Sequence, residues 1–99
     1  MRLTDTLSEA ESKAHEAARK LASIASKVPP EAAGEELSRK LMLTIVSLVM
    51  LAGRLHQLKR DIELGYKPGA EDVDSMLREL EAALLEAKEV FSRLEGLLP

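Results

Sequence analysis

Apolar residues recur along this chain in three long seams. Leu3, Leu7, Ala10, Ala14, Ala17, Leu21, Ile24 and Val28 are separated by alternating steps of four and three, the pattern of a helix that packs in coiled-coil fashion. Leu37, Leu41, Thr44, Leu48, Leu51, Leu55, Leu58 and Ile62 repeat it, as do Val73, Leu77, Leu80, Leu84, Ala87, Phe91, Leu94 and Leu98. Two breaks interrupt the seams, at Val28-Pro29-Pro30 and at Gly65-Tyr66-Lys67-Pro68-Gly69. Pro29 disfavours helical geometry at Val28, whereas Pro30 suits a first turn. Gly65 suits the position just past a helix end. Thr6-Leu7-Ser8-Glu9 fits a capping box, which would start the first helix near Thr4 to Thr6. The spacing therefore predicts helices over 5–28, 31–64 and 70–97. Short connections make sequential helices antiparallel neighbours. The expected fold is all-α, an up-down-up antiparallel three-helix bundle in a single domain over 1–99.

The second helix differs from the other two. Beside its main seam runs a second stripe, Met42, Ile45, Val49, Ala52 and His56, as expected of a helix packed against two others. It carries a third patch as well, Leu43, Val46 and Met50, on the side that Arg39, Gln57 and Asp61 make polar at the helix ends. A helix apolar all round is normally buried all round, and two neighbours cannot enclose it. The third patch is therefore a candidate partner surface, with Ser47 and Arg54 on its rim. Gly53 would permit close backbone approach despite its helix-propensity cost of about 1 kcal/mol. A two-fold homodimer bringing this helix against its own copy is the simplest partner. The plainer alternatives are a neighbouring helix that wraps further round, or the ordinary exposure of a few apolar side chains on a monomer.

Two other features invite a functional reading. Ala10, Ala14, Ala17 and Ala18 crowd the first seam, and Thr44 interrupts the second where leucine would be ordinary. Ala14, Ala17, Thr44, Ala87 and Phe91 could line a cavity for a small apolar ligand, with the Thr44 hydroxyl as its polar handle. Close helix approach is the commoner result of small residues, and Thr44 can bond a carbonyl of the preceding turn. His56 lies in the second stripe and is expected to face the core, near Arg78 and Glu79. Antiparallel alignment sets it level with Leu3, so His15 should lie about 18 Å away, too far to share a metal. A catalytic or switching role for His56 would need partners that no spacing supplies. A neutral core histidine with one hydrogen bond, to Glu79, is the ordinary expectation.

Composition narrows the classes further. The 99 residues are 45% hydrophobic and 31% charged, which excludes simple disorder. There is no cysteine, hence no disulfide and no thiolate zinc site. A net charge of −3 and 2% aromatic residues argue against a nucleic-acid surface, which wants basic charge and stacking platforms. No phosphate loop, His-Glu-x-x-His or calcium loop occurs. The acids of 71–95 interleave with Arg78, Lys88 and Arg93 as on a solvated helix face. No cofactor or metal is expected, and no enzyme activity.

Met1 to Ala10 has no apolar core of signal length. The run Leu41 to Ala52, closed by Lys40 and Arg54, falls short of the roughly 18 residues of a bilayer span. A soluble, cytoplasmic chain is the resulting expectation. Val49-Met50-Leu51-Ala52-Gly53-Arg54 departs from the Leu-x-x-x-Gly-Asp of cell-death recognition helices, because Arg54 replaces the acid. Three regular seams, glycine–proline loops and acidic helix starts at Glu31, Glu35, Glu71 and Asp72 resemble designed helical bundles in style. Thr44, Ser47, Gly53, His56 and Met50 are the departures from that style, and they fit either natural history or a site placed on an idealised scaffold.

Overall fold

In the computed structural model, which describes residues 2–99, three helices follow one another: α1 (Leu3–Ala25), α2 (Pro30–Glu63) and α3 (Ala70–Glu95). Each packs against the other two, so the fold is an all-α three-helix bundle, without strands among the described residues. The bundle measures 50 × 19 × 18 Å, a rod one helix long. Its core runs down the seams. Leu7, Leu21, Leu48, Leu55, Val90 and Leu94 are sealed from solvent, together with Ala14 and Ala52. Val90 lies outside the expected third seam; it is the residue beside Phe91, and the half-buried Phe91 takes the outer place.

Three local expectations need correction. The capping box does not form: α1 starts at Leu3, its N-cap is Arg2, and no side chain caps it. The Thr6 hydroxyl instead donates back to the Arg2 carbonyl at 3.5 Å. At the other end α1 stops at Ala25, and Ser26 to Val28 form a turn in which the Ser26 hydroxyl donates to the Ser23 carbonyl at 2.7 Å. Helix α2 is also broken near its start. Gly34 has φ 79 and ψ 171, a region that only glycine enters without strain. Pro30 to Ala33 make one turn of helix, the chain swings at Gly34, and the long rod of α2 begins at Glu35. Glu35 and Glu36 then occupy its first turn, where the macrodipole favours acids.

The far end of α2 closes as its sequence suggests. Gly65 has φ 105, its N–H donates to the Ile62 carbonyl at 3.0 Å, and the Tyr66 N–H donates to the Asp61 carbonyl at 2.9 Å. That crossed pair satisfies two carbonyls of the last turn and ends the helix.

Candidate functional site

The apolar excess of α2 lies on the outside of the bundle. Leu43 is 60% exposed and Met50 63%, with Val46 at 47%. Two members of the second stripe join them: Met42 is 64% exposed and Val49 50%. The expectation that this stripe faces a neighbouring helix is thus only half met. Ile45 is half-buried and Ala52 fully buried, but Met42, Val49 and His56 face solvent. The reason lies in α1, whose facing residues Ala10, Ala14 and Ala18 are short and buried. Side chains this short reach round only a narrow arc of α2.

The result is one contiguous face. Met42 and Leu43 lie a turn before Val46, and Val49 and Met50 a turn after it, so four apolar side chains surround a fifth. The face is about 12 Å long at the helical rise. Arg39 and Gln57 flank it, and Gly53 continues it by one more turn. Nothing lies within 4 Å of where a Gly53 side chain would stand, and Gly53 has no positive φ. Neither packing inside the chain nor backbone geometry therefore requires a glycine there. Membership of Met42 and Val49 was available from the wheel, since both adjoin Val46. What hid it was the assumption that two neighbours cover two full stripes.

Beside this face runs an open groove of about 560 Å³ between α2 and α3, lined by Leu43, Thr44, Ser47, Met50, Ala82 and Ala83. Charge pairs bridge the helices along it. Arg54 Nη1 lies 2.7 Å from Glu79 Oε2, while Lys40 Nζ lies 3.2 Å from Glu86 and 3.4 Å from Glu89. The hydrogen bond to Glu86 holds the Lys40 ammonium above its ordinary pKa, against partial desolvation, with help from the charge of both glutamates. Exposed pairs of this kind contribute little stability. The Thr44 side chain is buried and its hydroxyl donates to the Lys40 carbonyl at 2.7 Å, which commits its one proton within the helix. A second open groove of about 790 Å³ lies between α1 and α3, with Ala17, Ala87, Phe91 and the exposed Leu85 along it. The candidate cavity residues are therefore divided: Ala17, Ala87 and Phe91 share one groove, Thr44 lies on the other, and Ala14 is sealed in the core.

His56 is not a core residue. Its side chain is 49% exposed and Nδ1 lies 3.3 Å from Glu11 Oε1, whereas Glu79 is paired with Arg54. The same Glu11 carboxylate has His15 Nε2 at 3.9 Å and Lys59 Nζ at 3.7 Å. The expected separation of the two histidines is thus wrong, because His56 is level with Glu11 and not with Leu3. An offset of about eight residues is roughly 12 Å. It arises because the chain turns at Gly34 rather than at Pro29, so residues 29–34 cap the end of the bundle instead of running down it. Glu11 is thus surrounded by His15, His56 and Lys59. Among the described residues no group of three or more acids and histidines is arranged to hold a metal.

α2 also contains an 18-residue window of mean hydropathy 1.6, of which 28% is buried. By length and composition alone that window could cross a membrane, although the shorter uninterrupted run suggested otherwise; the core helix of a bundle passes the same test. The fold and this face define an all-α bundle with one unpartnered apolar helix face. No family model matches the sequence, and neither a curated protein nor a solved structure matches it.

Proposed function

We propose that the chain is a non-catalytic association module, a helical scaffold that binds a partner protein through the exposed face of α2, and that the partner is a second copy. The observation that carries this reading is the cluster of Met42, Leu43, Val46, Val49 and Met50, all about half or more exposed on one face. Contiguous apolar patches of this kind mark interaction sites more often than scattered side chains do. Leu43, Val46 and Met50 supply the apolar contact, Gly53 lets a backbone approach, and Ser47 and Arg54 form the polar rim. Full burial of a large apolar side chain is favourable by roughly 1.5–3 kcal/mol. Half of that for five side chains amounts to several kcal/mol before association costs, enough for a weak dimer.

Light scattering on a size-exclusion column, from micromolar to near-millimolar protein, tests the reading. The wild type is expected to pass from a mass near 10.9 kDa toward twice that value. Met50→Glu is expected to remain monomeric with unchanged helicity, because Met50 makes no part of the core. A wild type that stays monomeric throughout would remove the self-association reading.

A second reading has one observation in its favour. The α1–α3 groove, with Ala17, Ala87, Phe91 and Leu85 along its apolar side, could take a small apolar ligand. It is open to solvent along its length, however, whereas ligand sites usually enclose most of their ligand.

A further inference from the structure

We infer that two copies meet antiparallel, α2 on α2, with the two-fold axis passing beside Val46. The inference rests on the association reading above and specifies its geometry.

Charge decides the direction. Glu35 and Glu36 follow Gly34 at one end of the apolar face, where Arg39 lies 3.9 Å from Glu35; Arg54, Arg60 and Asp61 stand beyond its other end, where Arg54 lies 2.7 Å from Glu79. Glu36 and Arg60 make no ion pair within the chain among the described residues. A parallel pair of α2 helices would set Glu35 and Glu36 against their own copies and Arg54 and Arg60 against theirs. An antiparallel pair instead brings the unpaired Glu36 toward the partner's Arg54 and the unpaired Arg60 toward its Glu35, which offsets the approach of Arg39 to the partner's Arg54. Like charges held together across an interface are unfavourable, and complementary ends fix both direction and register.

The apolar face and its glycine fit the same arrangement. With Val46 on the axis, Met42 falls opposite Val49 of the partner on one flank, and Leu43 opposite its Met50 on the other. Every apolar residue of the face then has an apolar counterpart, as an isologous contact requires. Gly53 falls opposite the partner's Arg39, whose long stem would cross the helix where Gly53 has no side chain. The space around Gly53, which has no use inside one chain, is thereby filled. Glu36 comes beside the partner's Arg54 on the Leu43 flank, and Glu35 comes within a turn of the partner's Arg60.

Cysteine cross-linking tests the geometry cleanly, because the chain has no cysteine of its own. Leu43→Cys and Met50→Cys are made as separate variants, both at exposed positions, mixed in equal amounts at near-millimolar concentration and oxidised gently. Antiparallel pairing brings position 43 beside position 50 of the partner and separates like positions by about 9 Å or more, beyond disulfide reach. The mixed disulfide is then expected to make up nearly all covalent dimer by intact mass. Predominance of the two like disulfides would mean parallel pairing and would overturn the inference while leaving association intact. A statistical one-half share of mixed product would overturn it too, as the mark of random collision. If the unmodified chain is monomeric under the same conditions, the failure belongs to the association reading itself.

Discussion

Leu48→Ala is expected to lower the stability of the bundle by about 2–5 kcal/mol, the usual cost of removing a large buried side chain and leaving a cavity. Leu48 is sealed from solvent in the middle of α2, and both other helices pack on that rod, so no single side chain can move in to fill the gap. Urea denaturation followed by circular dichroism measures the change, and a midpoint shift without a change of slope would assign it to lost packing. Met50→Ala, two residues away, is the matched control. Met50 is 63% exposed, and in dilute monomer its loss should move stability by no more than about 0.5 kcal/mol. The pair separates the two faces of one helix: the inner one holds the fold, and the outer one is free to serve association. Equal costs at both positions would mean that the outer face is packed in the monomer, and the partner reading would lose its basis.

Ala14→Leu is expected to destabilise the fold by about 1–3 kcal/mol through overpacking. Ala14 has no exposed surface, and its smallness is what lets α1 approach α2 closely. Three added carbons would push the helices apart or force strained rotamers. An internal cavity beside Ala14 predicts the opposite sign, since leucine would fill the void and stabilise the chain. Thermal unfolding at low concentration gives the sign directly, and a raised melting temperature would restore the ligand-pocket reading.

Gly53→Ala connects the two kinds of site. In the monomer the substitution meets open space and should stabilise α2 by up to about 1 kcal/mol, the propensity difference between the residues. In the antiparallel pair the added methyl stands where the Arg39 stem of the partner crosses. Stability should therefore rise in dilute solution while the dimer weakens, a combination that simple helix strengthening does not produce. Light scattering beside thermal melting of the same samples reads both quantities.

The sequence by itself determined the three helices, their two breaks and the inward seams. Each of these is written in local terms: a period near 3.6, a proline that removes a donor, a glycine that accepts positive φ at Gly65. The presence of surplus apolar residues at Leu43, Val46 and Met50 was equally legible, because the wheel angle of a residue is a local property. The tertiary structure alone decided the rest. A seam gives the angle of each side chain but not the axial offset between helices, so the meeting of His56 with Glu11 depended on the turn at Gly34. Nor does a seam give the width of arc that a neighbour covers. That width depends on the reach of the facing side chains, and the short Ala10, Ala14 and Ala18 of α1 leave Met42 and Val49 in solvent.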